Sequence, residues 1–218
     1  MGNVNHVEAI ARLSESEGVF TTAQAARMGI PRDALHDAVK SGRIQRIMHG
    51  AYRMIGSGSS FADELTAIWK LTAPARFTHE RLRVAEWDGI TVGGSTASAL
   101  LEIGDLHLSP YRLYAPRRVN TRNTAVHFAK RAVPRSDVMF VHGLPVTRPE
   151  RTVFDLVMDD EDLSLVADVL QDAWRVDRGF GFKRLRELLD GRYEKERAEN
   201  LYRDLLTDSG LADEEEML

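Results

Sequence analysis

The chain contains no cysteine among its 218 residues. This absence excludes a disulfide framework, a thiol nucleophile, an iron–sulfur cluster and a zinc site with cysteine ligands. No apolar run approaches the roughly 18 residues that a membrane-spanning helix requires, and the first residues lack a basic stretch followed by an apolar one. We therefore expect a cytoplasmic protein that has no membrane partner.

Lysine is also scarce, because only 5 of the 29 basic residues are lysine and the rest are arginine. No lysine lies two positions after a carboxylate, so the spacing that places both groups of a metal-dependent nuclease on one strand face is missing. The seven histidines are scattered without a close pair at metal-ligand spacing. We expect no catalytic residue, no metal and no cofactor, and a degenerate nuclease-like domain stays as a minor alternative.

Hydrophobic residues make up 43% of the chain and charged residues 28%, which is typical of globular proteins. The net charge of −4 is unevenly distributed along the sequence. Residues 110–151 carry nine basic and two acidic residues, whereas residues 152–218 carry nine basic and 19 acidic ones. The basic block suits a polyanion or an acidic partner, and the acidic third would repel DNA.

The N-terminal pattern predicts a winged helix-turn-helix over residues 1–55. Helical spacing over 4–13 is followed by a short apolar step, two short helices over 23–28 and 32–41, and an alternating hairpin that turns at His49-Gly50. The uncharged segment Ile55-Gly56-Ser57-Gly58-Ser59-Ser60 predicts a linker at residues 56–60. Thr21 or Thr22 is expected to cap the second helix.

The remainder predicts a larger mixed α/β domain over residues 61–210. Short strands fall between residues 90 and 146, with Ser95 or Thr96 as the cap of a helix among them, and amphipathic helices fill the C-terminal portion. Residues 211–218 are expected to form an acidic tail. The fold class is therefore α+β.

In a winged helix-turn-helix the third helix enters the major groove and the wing contacts the neighbouring backbone. This geometry predicts contacts with duplex DNA from nine residues, namely Thr22, Arg32, His36, Lys40, Arg43, Gln45, Arg46, His49 and Arg53. Asp33 and Asp37 on the same helix oppose phosphates unless one of them accepts a hydrogen bond from a cytosine amine. The alternative is that the module contacts a protein or RNA and does not bind a specific operator.

Several motifs resemble a known family. Residues 18–26, Gly29-Ile30, 41–44 and Gly50-Ala51-Tyr52 resemble the N-terminal domain of AbiEi-type antitoxins, the transcriptional regulators of type IV toxin–antitoxin systems. Residues 95–100 and 143–156 are similar to the second domain of that family, although Gly93-Gly94 departs from the serine–histidine pair of many relatives.

The resemblance implies an autorepressor that binds inverted repeats in its own promoter, with a homodimer or two cooperating protomers on the DNA. It further implies that the second domain counters a nucleotidyltransferase-like toxin, with no direct contact required.

The basic block predicts a second basic surface. Its members are Arg112, Arg117, Arg118, Arg122, Lys130, Arg131 and Arg135. This surface either extends the DNA footprint or mediates the antitoxin function. The alternative is intramolecular pairing of the block with the acidic last third.

Overall fold

The computed structural model describes residues 6–56 and 61–216. The chain divides into two compact units, residues 1–88 and 89–218. The N-terminal unit thus extends past the boundary predicted at residues 56–60, of which 57–60 lie outside the described residues.

Within residues 6–56 and 61–88, the N-terminal unit contains five α-helices and three strands. In chain order the elements are α1 (His6–Glu17), β1 (Val19–Thr21), α2 (Thr22–Arg27), α3 (Arg32–Lys40), β2 (Ile44–Met48), β3 (Ala51–Met54), α4 (Asp63–Leu71) and α5 (Thr78–Leu82). A capping box starts α2, because the Thr21 hydroxyl accepts from the Gln24 N–H at 3.1 Å and Gln24 Oε1 accepts from the Thr21 N–H at 2.9 Å. Thr21 is therefore the cap, and Thr22 is the first helical residue.

The three strands form an antiparallel sheet in the order β1-β3-β2. One face packs on the helix-turn-helix core through Phe20, Ile44 and Tyr52. The opposite face is covered by α4, whose Ala67 packs against Val19 and Ala51. Because both faces of the sheet are covered, α4 belongs to this unit and not to a second domain.

A buried ion pair fixes α4 to the helix-turn-helix. Lys70 Nζ lies 2.6 Å from Glu17 Oε2, and both side chains are 3% exposed. The same carboxylate accepts from Gln24 Nε2 at 2.9 Å and from the Thr78 hydroxyl at 2.7 Å. Glu17 thus joins the end of α1 to α2, α4 and the start of α5, and burial lowers the pKa of Lys70 although the Glu17 charge opposes this shift.

A second buried cation holds the end of the unit. Arg81 is 1% exposed and donates to Asp88 Oδ2 at 2.8 Å and to the Trp69 carbonyl at 2.7 Å. Its guanidinium also lies 3.7 Å from the centre of the Trp69 ring. These contacts explain why the compact unit continues to residue 88.

The C-terminal unit begins with strands and ends with helices. Its elements are β4 (Thr91–Val92), α6 (Gly94–Leu100), β5 (Tyr111–Ala115), β6 (Val126–Lys130), β7 (Val138–Val141), β8 (Leu144–Thr147), α7 (Pro149–Met158), α8 (Leu163–Val176), α9 (Phe182–Asp190), α10 (Lys195–Asp208) and α11 (Ala212–Glu216). Part of the segment predicted as an acidic tail is therefore the short helix α11.

Five strands form a mixed sheet in the order β6-β5-β4-β8-β7. The pairs β5–β6 and β4–β8 are parallel, whereas β4–β5 and β7–β8 are antiparallel. After β4 the backbone passes so close to Tyr114 that a Cβ at Gly93 would lie 1.8 Å from its ring. Gly93 is also the residue that precedes α6, while the Thr96 hydroxyl donates to the Leu108 carbonyl, so the expected cap by Ser95 or Thr96 is wrong.

The amphipathic helices enclose a core of their own. Val166, Leu170 and Trp174 of α8 are buried against Leu185 of α9 and Leu205 of α10. Spacing of apolar residues by three and four along each helix places them on one face, which is the pattern seen in the sequence.

We expect Lys70→Met to lower the free energy of unfolding by about 3 to 5 kcal/mol, because it leaves a buried carboxylate without its cation. Urea-induced unfolding measures this change. Lys195→Met is the matched control, since that side chain is 88% exposed, and it should stay within about 0.5 kcal/mol. Equal stability of the two variants would mean that the Glu17–Lys70 pair does not hold α4 in place.

Candidate nucleic-acid interface

The exposed face of α3 carries the predicted base-reading residues. Leu35 and Ala38 are buried, which turns Arg32, His36 and Lys40 toward solvent. These three residues are spaced by four, so their side chains form a row along one side of the helix. The row has the composition and the exposure that contact with base edges requires.

Acidic residues form a neighbouring row on the same helix. Asp33 and Asp37 are both exposed, so α3 carries two carboxylates beside its lysine and arginine. Val39 on this helix is 36% exposed. The helix is therefore close to electrically neutral, because Asp33 and Asp37 balance the charges of Arg32 and Lys40.

The wing is the hairpin of β2 and β3, which turns at Gly50 with a φ of +83°. Gln45, Arg46 and His49 are exposed on it, and Arg43 is exposed just before β2. The Arg46 guanidinium contacts His49 Nδ1, so these two side chains lie together at the wing's turn.

A groove of about 540 Å³ lies between the start of α2, the start of α3 and the wing. It brings together Thr22, Arg32 and His49 from the predicted set. Leu71 and Pro74 also line it. The sequence pattern did not point to either residue, because both follow the predicted linker at residues 56–60 and were assigned to the next domain.

Arg53 does not belong to this interface. It is 8% exposed, and its Nη1 lies 3.3 Å from Asp63 Oδ2 at the start of α4. The prediction that Arg53 anchors the wing through a phosphate is wrong, because α4 covers the sheet face on which Arg53 lies.

Another cation of the helix-turn-helix is neutralised within the unit. Arg27 of α2 donates to both carboxylate oxygens of Glu80 at 2.8 Å and to the Ala75 carbonyl at 2.7 Å. Hydrogen bonding from Arg27, with a further bond from the Phe77 N–H, lowers the pKa of Glu80 to about 2. The ionised carboxylate opposes the Arg27 charge, so Arg27 offers little attraction to a phosphate.

The basic block of residues 110–151 separates into an inner and an outer group. In the inner group Arg112 lies 2.8 Å from Asp159 Oδ1, and Arg131 lies 2.7 Å from the same oxygen and 2.9 Å from Asp155 Oδ1. Tyr114 donates to Asp159 Oδ2 at 2.9 Å. The predicted surface does not include these two arginines as free cations, because the acidic third pairs with them inside the unit.

Asp155 is the most deeply buried carboxylate of this network, with a side chain that is 0% exposed. Its Oδ1 accepts from Arg131 and from Arg151 Nε, each at 2.9 Å, whereas its Oδ2 has no hydrogen-bond partner within the described part of the chain. Burial raises the pKa of Asp155 to about 6, although Arg151 and Arg131 oppose the shift.

The outer group remains exposed. Arg117, Arg118 and Arg122 lie between β5 and β6, and Lys130 ends the edge strand β6. None of the four has an ion-pair partner within residues 6–56 and 61–214. Arg135 belongs to neither group, since it donates to the Val138 carbonyl at 3.1 Å and its guanidinium lies 4.6 Å from the centre of the Phe140 ring.

Residues 6–56 and 61–216 contain no helix that is long and apolar enough to cross a bilayer. They also contain no cluster of three or more histidine, aspartate or glutamate side chains that could hold a metal ion.

Comparison with known protein families gives a match for the N-terminal segment. Residues 8–55 match the family described as "Transcriptional regulator, AbiEi antitoxin". The AbiEi resemblance is therefore confirmed for the helix-turn-helix and its wing, and the matched family is regulatory. The match ends at residue 55, so residues 95–100 and 143–156 lie outside it.

Comparison with solved structures supports the fold. The chain is similar to the RV2827C protein from Mycobacterium tuberculosis, known from a crystal structure, with a TM-score of 0.60 and 17% sequence identity. The similarity covers 94% of this chain and 75% of the other. The predicted α+β class, with an N-terminal winged helix-turn-helix and a larger α/β domain, is confirmed. No curated protein sequence matches the chain.

We expect Asp155→Asn to change the pH dependence of stability. A carboxyl whose folded pKa of about 6 exceeds its reference value of 3.8 binds more protons in the folded state, so its ionisation destabilises the fold as pH rises through this range. The free energy of unfolding of the unaltered protein should therefore fall relative to that of Asp155→Asn between pH 4 and pH 7, by up to about 3 kcal/mol.

Urea-induced unfolding at a series of pH values checks this expectation. Asp168→Asn is the control, because it replaces a carboxyl that is exposed on α8 by the same amide. A constant difference between the unaltered protein and Asp155→Asn across the series would show that Asp155 does not titrate in this window.

Proposed function

We propose that this protein is a DNA-binding transcriptional regulator that represses its own promoter and acts as the antitoxin of a type IV toxin–antitoxin system. The observation that carries the proposal is the joint exposure of the α3 row and the wing on either side of one groove. The match of residues 8–55 to a regulator family supports it.

In this proposal α3 enters the major groove of duplex DNA. Arg32, at the first turn of α3 and on the wall of the groove, reads a base edge, and guanine is the base that an arginine fork suits best. His36 and Lys40 follow on the same row and contact bases or the adjacent phosphates. Orientation of this row toward the DNA keeps Asp33 and Asp37 at the margin of the contact, where they disfavour other registers.

The wing supplies contacts that do not depend on sequence. Arg43, Gln45, Arg46 and His49 are the exposed polar side chains of this region, and they fit the phosphate backbone beside the major groove. Thr22 lies at the start of α2 within the same groove, where its hydroxyl can donate to a phosphate. Recognition of an inverted repeat then requires two protomers, one on each half-site.

Fluorescence anisotropy with labelled duplex DNA tests the proposal. We expect the purified protein to bind a duplex from upstream of its own gene more tightly than a scrambled duplex at physiological salt, with an affinity that falls steeply as salt rises. Equal and weak binding to both duplexes would favour the alternative, in which the module contacts a protein or RNA.

We expect Arg32→Ala and Arg46→Ala to have different effects in this assay. Loss of a base contact by Arg32→Ala should reduce the preference for the specific duplex by about 1 to 3 kcal/mol. Loss of a phosphate contact by Arg46→Ala should weaken binding to both duplexes alike and reduce the salt slope by about 0.9. Arg12→Ala is the control, because Arg12 is exposed on α1 and 65% of its side chain is accessible. Identical behaviour of Arg32→Ala and Arg46→Ala would contradict the assigned roles.

The outer basic group is proposed as a second contact with the DNA backbone. Reversal of both charges in Arg117→Glu/Arg118→Glu should weaken binding to specific and scrambled duplexes equally and reduce the salt slope by up to about 2. The control Lys195→Glu/Arg197→Glu alters two exposed cations at the start of α10 and should leave the slope unchanged. An unchanged slope for the Arg117/Arg118 variant would remove this surface from the DNA footprint, and co-expression with a candidate toxin would then test its part in neutralisation.

A further inference from the structure

A separate basic groove lies in the C-terminal unit, where α8 leads into α9. Its volume is about 490 Å³, and its lining includes three cations and three aromatic residues, namely Arg178, Lys183, Arg186, Phe180, Phe182 and Tyr202. No aspartate or glutamate lines it. This composition is unexpected, because residues 152–218 carry about twice as many acidic as basic residues.

None of the three cations of this groove has a carboxylate partner within residues 6–56 and 61–214. Aromatic rings hold two of them, since the Arg178 guanidinium lies 4.9 Å from the centre of the Trp174 ring and the Arg186 guanidinium lies 5.6 Å from that of Tyr202. A ring orients a guanidinium without neutralising it, so the groove presents positioned positive charge. Two carboxylates lie beside it, since Asp177 Oδ1 accepts from the Gly179 N–H and Glu150 Oε1 from the Gly181 N–H, each at 2.8 Å, but neither pairs with the three cations.

The surroundings favour a short acidic peptide segment over a nucleic acid. The acidic third repels a long polyanion. Phe180 and Phe182 are each 5% exposed and Tyr202 is 7% exposed, so their rings are not available to stack on bases. A segment with a few adjacent carboxylates satisfies the three cations without bringing a long row of phosphates against the acidic surface.

The chain itself contains such a segment. Asp213-Glu214-Glu215-Glu216 is the only run of four consecutive acidic residues outside residues 159–162. The structure places Asp213 on the short helix α11, exposed and without an ion pair to any described residue. In the run at residues 159–162, two residues already have partners within the unit. Asp159 pairs with Arg112 and Arg131, and Asp162 accepts from the Ser164 N–H at the start of α8.

We infer that the groove of Arg178, Lys183 and Arg186 binds the acidic run 213–216 of a second copy of this chain. When two copies exchange their acidic runs, both contacts form about one twofold axis and the assembly closes as a dimer. Exposed ion pairs are individually weak and are screened by salt, so the dimer forms at high protein concentration and low ionic strength. This inference stands independently of DNA binding.

Sedimentation equilibrium of the full chain without DNA tests the inference. We expect concentration-dependent dimers that dissociate as the salt concentration rises. Arg178→Glu/Lys183→Glu/Arg186→Glu, the groove variant, and Asp213→Lys/Glu214→Lys/Glu215→Lys/Glu216→Lys, the acidic-run variant, should each weaken self-association by about tenfold or more. Lys195→Glu/Arg197→Glu/Arg203→Glu, which alters three exposed cations of α10, is the matched control and should dimerise as the unaltered chain does.

An equimolar mixture of the two variants distinguishes a contact between two chains from a contact within one chain. The groove variant retains an acidic run and the acidic-run variant retains a basic groove, so the mixture should form heterodimers at concentrations at which each variant alone stays mostly monomeric. This rescue requires both variants to be folded and the contact to be between chains. A monomeric unaltered chain at every concentration, a control as impaired as the groove variant, or a mixture that stays monomeric would each overturn the inference.

Discussion

The buried Glu17 carboxylate is the interaction on which the architecture of the N-terminal unit depends. It ends α1, accepts from Gln24 of α2 and Thr78 of α5, and pairs with Lys70 of α4. A charge at this depth is tolerated only with such compensation. The helix-turn-helix is therefore held to a helix 53 residues further along the chain, and the exposed face of α3 is built on a scaffold larger than the motif itself.

Much of the fold could be predicted from local patterns. Alternating apolar residues identified the wing and the strands between residues 90 and 146, and helical spacing identified α3, α7 and α8. Local patterns did not predict that the chain after residue 55 still belongs to the N-terminal unit. The small and uncharged composition of residues 56–60 indicated a linker, whereas the deciding contacts, Glu17 with Lys70 and Arg81 with Asp88, join residues that carry no local signal of being paired.

For the candidate site as well, local spacing predicted which side chains of α3 are exposed but not which cations are paired. The exposure of Arg32, His36 and Lys40 followed from the burial of Leu35, which helical spacing shows. The burial of Arg53 depends on α4, and the pairing of Arg112 and Arg131 depends on carboxylates 24 to 47 residues away in sequence. Charge counts along a sequence record which residues are basic, but they do not show which of those charges the fold has already neutralised.

The N-terminal unit depends on α4, because this helix covers the second face of the sheet. A fragment that ends at residue 55 contains the whole recognised motif but exposes Val19 and Ala51 and leaves Glu17 without Lys70. Such a fragment has an uncovered sheet face and a Glu17 carboxylate without its cation, and both favour aggregation over autonomous folding. The smallest autonomous piece that contains the motif should therefore end at residue 88, and deletion mapping that stops at the edge of the motif would misassign a loss of structure to a loss of contacts.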